Sequence, residues 1–181
     1  MLIASRCLIV THLGRVAHHQ PRRCAQSSLR LSGYIHSSPS VVRSMENEGE
    51  AAQQSVASGA PKKAEQGEET LFDKIVAKKI PATILYEDET ALAFKDINPQ
   101  APVHFLVVPK HRDGLTQLSK SADRHEQLLG HLIHVASKVA RQEGCDQGFR
   151  TVINDGPQGC QSVYHLHVHV FGGKQLGWPP C

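Results

Sequence analysis

Three histidines at alternate positions, His165, His167 and His169, are the residues whose types and spacing could do chemistry. Side chains alternate between the two faces of a β-strand. A strand here would therefore place the three imidazoles on one face and the branched aliphatic residues between them on the other. Histidine titrates near neutrality and both of its ring nitrogens need partners, so a row of three predicts a functional site.

A metal site is the first chemistry that such a row could serve, because two histidines two residues apart on a strand can bind zinc. At roughly 3.4 Å per residue, however, His165 and His169 would lie roughly 13 to 14 Å apart, too far for all three to share one ion with bonds of about 2.1 Å. Two of them would need further ligands such as His104 and His111. The chain contains no Cys-x-x-Cys pair that could complete a structural zinc cage.

Covalent catalysis is the second chemistry. A neutral imidazole can attack phosphorus and form an intermediate that splits one difficult displacement into two easier ones. One histidine must attack the phosphorus while its neighbours orient it and stabilise the charge that develops. His167 has a histidine on each side and is the expected nucleophile.

The stretch HLHVHVF at residues 165–171 resembles the histidine triad (HIT) pattern His-φ-His-φ-His-φ-φ, in which φ is apolar. Its surroundings resemble the Hint branch of histidine triad nucleotide-binding proteins, also described as protein kinase C inhibitor-like: KDINPQAPVHFLVVPK and NDGPQGCQSVYH precede the triad, and GGKQLGWPP follows it. The resemblance runs from about Thr70 to Pro180. It implies an α+β fold in which an antiparallel five-stranded sheet carries two helices and continues across a homodimer.

The resemblance also implies roles around the triad. His167 corresponds to the nucleophile that is adenylylated during turnover, and His169 to a histidine that contacts the α-phosphate. Ser162 corresponds to a serine beside the leaving group. Its neighbours Gln161 and Cys160 belong to the same nucleotide-binding loop.

Further positions complete the implied site. Asp96 and Ile97 correspond to the ribose and base pocket, and Asn154 to a residue near the phosphate. His104 and His165 correspond to histidines that support the site from behind. A carboxylate at a strand end can accept both hydroxyls of a ribose, although Asp96 could equally be an Asx-type turn residue.

Near the C-terminal end of the matching region the resemblance implies a contact between subunits, and near its N-terminal end the sequence departs from the family pattern. Trp178 corresponds to a tryptophan that reaches across a dimer into the partner's substrate pocket. Zinc-containing relatives carry Cys-x-x-Cys where this chain has Thr70 and Asp73, so no structural zinc is expected. In the segment PKHRDG, His111 and Arg112 are shifted relative to the family pattern. The resemblance therefore implies no role for His111.

The first 45 residues differ in composition from the rest of the chain. They contain six arginines, many serines and no lysine, aspartate or glutamate. That composition predicts an organellar transit peptide over residues 1–45, with the mitochondrion as the expected destination, the plastid as the alternative and a cytosolic form if translation starts at Met45. Arg6 interrupts the apolar stretch, which argues against a secretory signal or a membrane span.

Residues 46–69 are polar, poor in aliphatics and free of aromatics, so they predict a disordered linker before a HIT domain over residues 70–181. Without the six arginines, the 20 basic and 17 acidic residues become 14 against 17, a net charge near −3. That balance leaves no basic groove for nucleic acid. The remaining cysteines, Cys145, Cys160 and Cys181, are scattered, as expected of a reducing compartment without disulfides.

Hydrophobic spacing predicts the elements that must position these residues. Helical spacing predicts a short helix near residues 71–76 and a main amphipathic helix over 122–142. Alternation and turn residues predict a hairpin, a third strand and two closing strands. In chain order, the five predicted strands are TILYE, ALAFKD, HFLVVP, FRTVIN and VYHLHVHVF. This order predicts an α+β fold with helices on one face of the sheet.

The expected function is hydrolysis of purine nucleoside phosphoramidates: AMP-amine or GMP-amine conjugates are cleaved at the P–N bond through an adenylyl-histidine. This mechanism needs no metal or cofactor, and no nucleic acid or membrane partner is expected. The alternatives are a hydrolase of adenosine 5′-phosphosulfate or other adenylyl conjugates, and a non-catalytic regulatory protein that binds purine nucleotides. Turnover would separate them, because a binder shows affinity without consuming the conjugate.

Overall fold

A computed structural model describes residues 49–180. The expected transit peptide over 1–45 lies outside the described residues. The helices are α1 over residues 49–57, α2 (Ala60–Glu65), α3 (Leu71–Val76) and α4 (Glu126–Gln142), and the strands are β1 (Ile84–Glu87), β2 (Ala91–Lys95), β3 (Val103–Pro109), β4 (Phe149–Val152) and β5 (Val168–Gly172). The five strands form one antiparallel sheet in the order β1-β2-β3-β5-β4. The predicted α+β class and five-stranded sheet are confirmed; α1 and α2 add to the two predicted helices.

The β1–β2 hairpin forms where the sequence predicts it. The carboxylate of Asp88 accepts bonds of 2.8 Å from the backbone N–H groups of Thr90 and Ala91, which closes the turn. β3 then pairs with β2, with Leu92 opposite Val108. Pro109 ends β3 as expected, because proline cannot donate to a sheet ladder.

The two faces of the sheet bury two different cores. On one face the strand residues pack against α4, whose residues Leu132, Val135 and Val139 are fully buried. On the other face α3 contributes Phe72 and Ile75 to a second cluster. The strand residues of that second cluster are Leu92, Phe94, Leu106 and Val108. The expectation that the helices share one face is therefore wrong: α3 and α4 cover opposite faces, since alternate residues of β2 and β3 are apolar on both.

The histidine row is not one continuous strand. β5 begins only at Val168, so His165 and His167 precede it in an irregular segment. The register of β3 with β5 would place residue 166 opposite Pro109, which has no N–H to give. The N–H of Leu166 instead donates to the carbonyl of Leu115 at 3.0 Å.

The segment that composition predicts to be a disordered linker contains two helices. Residues 49–57 and Ala60–Glu65 are helices, and Ala52 and Ala64 are buried. Arg112 supplies the contact that composition could not reveal. Its guanidinium donates to the carbonyls of Ala64 at 3.0 Å and Glu68 at 2.9 Å.

Within residues 49–180 no helix combines the length and the apolar character needed to cross a membrane.

Candidate active site

A cavity of about 620 Å³ opens on the sheet face that α3 covers. One part of its wall is apolar and the other carries polar side chains. The apolar wall includes Phe72, Ile75, Ile80, Phe94 and Leu106, and the polar wall includes Asp96, Asn98, Ser162, His167 and His169. Ala51 of α1 also lines it. A second cavity of about 540 Å³, formed by residues after α4 and after β5, contains none of the histidines.

His167 is fixed as a neutral imidazole. Its Nδ1 donates to the backbone carbonyl of His165 at 2.7 Å, and the edge of the Phe72 ring packs against it with ring centroids 5.0 Å apart. Burial lowers the pKa of His167 to about 4; the bond to the His165 carbonyl opposes this shift and the nearby His165 ring adds to it. With Nδ1 protonated, Nε2 keeps its lone pair and is available as a nucleophile.

A chain of hydrogen bonds determines which ring nitrogen of His169 carries the proton. The N–H of Gln100 donates to Nδ1 of His104 at 3.2 Å, so the His104 proton is on Nε2. That Nε2 lies 3.0 Å from Nδ1 of His169 and donates to it. The His169 proton is therefore on Nε2, a buried atom without a partner among the described residues.

Burial keeps these two histidines neutral as well. It lowers the pKa of His169 to about 3, and the nearby His167 and His104 add to the effect. Burial also lowers the pKa of His104, while Asp96 opposes the shift. A neutral His169 presents an unsatisfied N–H at the cavity, which is a donor suited to an anionic oxygen.

Asp96 and Ile97 both line the cavity. One carboxylate oxygen of Asp96 accepts from the N–H of Asn98 at 2.8 Å, the Asx turn considered above, and the other lies 3.5 Å from Nε2 of His104. Ile97 is 92% exposed and therefore has a large apolar surface to offer a ligand. Asp96 can therefore form the Asx turn with one carboxylate oxygen and still offer the other oxygen to a ligand.

The loop before the triad divides into residues that face the cavity and residues that do not. Ser162 lines it, whereas Asn154 and Cys160 do not. Gln161 is fully buried: its carbonyl accepts from Gly156, and its amide donates to the carbonyls of Thr116 at 2.7 Å and Val163 at 3.0 Å. The side chain of Gln161 is used in shaping the loop, and the contact of these residues with a nucleotide stays a prediction.

Trp178 and His165 lie away from the cavity for opposite reasons. Trp178 is 86% exposed and is not part of the cavity wall. His165 has no exposed surface, and its backbone carbonyl accepts from Nδ1 of His167. Cys160 is exposed and adopts a left-handed backbone with φ 58°, and Cys145 is buried against Gly172.

Sequence reasoning missed two residues behind the triad, Asp73 and Arg112. Thr70 and Asp73 form a capping box at the start of α3, and Arg112 lies 3.1 Å from the Asp73 carboxylate. The T-x-x-D pattern before an apolar run is the signal that could have revealed the capping box. No local pattern could have joined Arg112 to it, since 39 positions separate the pair.

Comparison with known proteins agrees with this geometry. The HIT domain family matches residues 77–176. The chain is 62% identical over 111 residues to the 14 kDa zinc-binding protein of Zea mays, covering 61% of this chain and 87% of that protein. It is 56% identical over 136 residues to adenylylsulfatase HINT1 of Arabidopsis thaliana, covering 75% and 87%. A HIT family hydrolase from Legionella pneumophila superposes with a TM-score of 0.60 at 42% identity, covering 62% of this chain and all of that one.

This chain belongs to the HIT domain family. The family match, the Hint-type relatives and the triad geometry support a hydrolase of nucleotides.

Two places in the described residues bear on metal binding. The donor atoms of Asp96, His104 and His169 lie within 4.8 Å of one another, close enough to hold a cation. The place where Cys-x-x-Cys would lie does not fit a structural zinc. There the Asp73 carboxylate already accepts from Thr70 and from the guanidinium of Arg112, and a fixed cation beside it opposes a second one.

Proposed function

We propose that this protein hydrolyses purine nucleoside phosphoramidates, releasing AMP or GMP from its amine conjugates. The observation that carries the proposal is the pairing of two neutral histidines at one cavity. His167 offers a lone pair on Nε2, and His169 offers an unpaired N–H beside it. A nucleophile next to a donor for developing negative charge suits phosphoryl transfer.

The cavity has room and chemistry for a nucleotide. Its apolar wall, which includes Phe72, Phe94 and Ile97, suits a purine ring. Asp96 at the polar boundary can accept the ribose hydroxyls through the carboxylate oxygen that the Asx turn leaves free. The α-phosphate would then lie toward His167 and His169.

The reaction proceeds in two displacements. Nε2 of His167 attacks the α-phosphorus, the P–N bond breaks, and its electron pair leaves with the amine nitrogen. Ser162 relays a proton from solvent to that amine, and the Nε2–H of His169 bonds the phosphoryl oxygen as charge develops. Water then attacks the adenylyl-histidine and gives up a proton to solvent; the new P–N bond breaks, its electron pair returns to Nε2 of neutral His167, and AMP is released.

A second candidate is hydrolysis of adenosine 5′-phosphosulfate. The observation that favours it is the 56% identity to a protein named adenylylsulfatase. Both reactions use the same nucleophile and differ in whether an amine or sulfate leaves. Sulfate needs no proton, so a Ser162→Ala variant should impair the phosphoramidate reaction more than the phosphosulfate reaction.

We also propose that a homodimer completes the substrate pocket. Trp178 is 86% exposed near the C-terminus, so its large aromatic side chain is available to contact another subunit. Its contact with a partner's pocket would bury it. A small core of this size also gains stability from association.

The test of the main proposal is His167→Ala. We expect hydrolysis of an AMP-amine conjugate to fall by several orders of magnitude, while AMP still binds, because no other group replaces the attacking atom. Mass spectrometry of quenched wild-type protein should show AMP on the peptide containing residues 165–169. The matched control is His134→Ala, an exposed histidine of α4, which should keep normal turnover. Substantial turnover by His167→Ala would refute the mechanism.

A further inference from the structure

His165 lies in a setting that its neighbours in the triad do not share. The ring has no exposed surface. Its Nε2 lies 2.8 Å from the carbonyl oxygen of Pro109. Its Nδ1 lies 3.3 Å from the Asp73 carboxylate and 3.3 Å from the hydroxyl oxygen of Thr70.

The partners of the two ring nitrogens bear on the charge of the ring. A carbonyl oxygen can only accept, so Nε2 of His165 carries a proton. Thr70 has one hydroxyl proton, and that proton goes to the Asp73 carboxylate at 2.7 Å. Nδ1 of His165 faces the Asp73 carboxylate, which can only accept, and a proton on Nδ1 would give that contact a donor.

Asp73 is a carboxylate in the same arrangement. It accepts from the backbone N–H of Thr70 at 2.7 Å and from Nε of Arg112 at 3.1 Å, besides the Thr70 hydroxyl and His165. Burial would raise the pKa of the Asp73 carboxyl, but the bonds from His165 and Thr70 hold that pKa well below its usual range. A buried cation on His165 would therefore have opposite it a partly buried carboxylate, 20% exposed, whose two oxygens both accept hydrogen bonds.

We propose that Asp73 holds His165 as a buried imidazolium, and that Asp73 and Arg112 thereby position the nucleophile His167. The backbone carbonyl of His165 is the acceptor that fixes the Nδ1 proton of His167. The ring of His165 is bound on both sides, to β3 through Pro109 and to α3 through Asp73. A ring anchored at both nitrogens keeps that carbonyl in place.

The charge of His165 also acts on its neighbour directly. A cation near His167 disfavours a second proton there and keeps the nucleophile neutral. The charged or titratable groups that face His165 are Asp73 from α3 and His167 from its own segment, with Arg112 behind Asp73. The kinetic part of this inference depends on the proposed function; the charge state does not.

Nitrogen NMR on the full-length protein labelled with ¹⁵N-histidine tests the charge state. At pH 7 we expect both ring nitrogens of His165 to be protonated in the wild type. Asp73→Asn should convert the ring to a neutral tautomer, because the amide no longer balances a cation. A neutral His165 in the wild type would overturn the proposal, and this spectrum decides the matter even if the variant fails to fold.

Asp88→Asn is the matched control. Asp88 pairs with Nε2 of His131 at 2.7 Å, away from the cavity. This variant should shift the signals of His131 and leave those of His165 unchanged. Equal changes at His165 in both variants would show that the effect is not specific to Asp73.

Kinetics test the positioning role. We expect Asp73→Asn to lower kcat about 10- to 100-fold with little change in KM, since the substrate contacts remain. The acid limb of kcat/KM should move to higher pH, because loss of the neighbouring cation raises the pKa of His167. A purely structural role would lower the amount of folded protein without moving that limb, so an unmoved limb would overturn the positioning role.

Arg112 gives the conservative comparison. Arg112→Lys keeps a cation beside Asp73 and should retain more activity than Arg112→Met, which removes it. Equal activities in these two variants would contradict the role of the charge. If the protein proves to bind nucleotides without hydrolysing them, the nitrogen spectrum still tests the imidazolium.

Discussion

At the scale of single residues, three histidines of one motif have three different sets of hydrogen-bond partners. His165 faces two acceptors, His167 donates to one carbonyl, and His169 accepts from His104. The motif predicts that these rings gather at one site, because their spacing is visible in the chain. Their protonation depends on partners from distant segments, such as Asp73 and the Gln100 backbone, and could not be predicted from the triad.

Gln161 illustrates the limit of a position-by-position resemblance. Its place beside Ser162 predicts contact with a nucleotide, but each polar atom of its side chain already has a protein partner. The side chain ties together the loop at Gly156, the carbonyl of Thr116 and the chain at Val163. Its role is to hold the loop that presents Ser162.

Replacing Gln161 should therefore cost stability. In Gln161→Ala the N–H of Gly156 and the carbonyl of Thr116 lose buried partners, which predicts a loss of about 1 to 3 kcal/mol in the free energy of unfolding. Urea denaturation of the variant measures this loss. Gln158→Ala, a change at an exposed position of the same loop, should have little effect. Equal midpoints for both variants would argue against a structural role for Gln161.

At the scale of elements, local patterns predicted the hairpin, the third strand and the long helix α4. Turn residues and hydrophobic spacing are sufficient for these elements because each is stabilised by contacts that repeat along it. Local patterns did not predict where β5 starts or on which face of the sheet α3 packs. Pro109 on a neighbouring strand stops the ladder before Val168, and the second apolar face of β2 and β3 draws α3 to the opposite side.

The segment over residues 49–69 was predicted from composition to be disordered, and composition was a poor guide. The segment lacks aromatics and is poor in aliphatics, yet two of its alanines are buried and Arg112 bonds two of its carbonyls. Ala51 also reaches the cavity wall. An arginine elsewhere in the chain thus stabilises helices that have little apolar surface of their own.

Removal of this segment should affect the substrate pocket. A form that begins at residue 70 leaves Arg112 without two carbonyl acceptors and opens the wall at Ala51. We expect a lower melting temperature and a higher KM for the nucleotide conjugate than in a form that begins at Met45. Calorimetry and steady-state kinetics on the two forms provide the measurement. Identical values would show that residues 49–69 only connect other parts of the chain.

At the scale of the whole molecule, the proposed targeting signal lies in the first 45 residues. Six arginines without any acidic residue are typical of an organellar presequence, and we propose the mitochondrion as the destination, with the plastid as the alternative. The acidic residues begin directly after Met45, so a start at this methionine would yield the same catalytic region without the targeting signal.

Localisation can be tested with a fluorescent reporter fused to residues 1–50. We expect the reporter to collect in an organelle, and the full protein started at Met45 to remain in the cytosol with normal hydrolysis. Arg22 and Arg23 changed to glutamate supply the control, since acidic residues should abolish import. A diffuse reporter, or an inactive Met45 form, would contradict the proposed targeting signal.

The two cysteines of the described region differ in a way that suits optical experiments. Cys145 is enclosed against Gly172, while Cys160 stands exposed two positions before Ser162. Once serine replaces Cys7, Cys24 and Cys181, a thiol-reactive fluorophore would attach to the folded protein at Cys160. Such a label, placed on the loop beside the proposed leaving group, would let fluorescence follow ligand entry and product departure in real time.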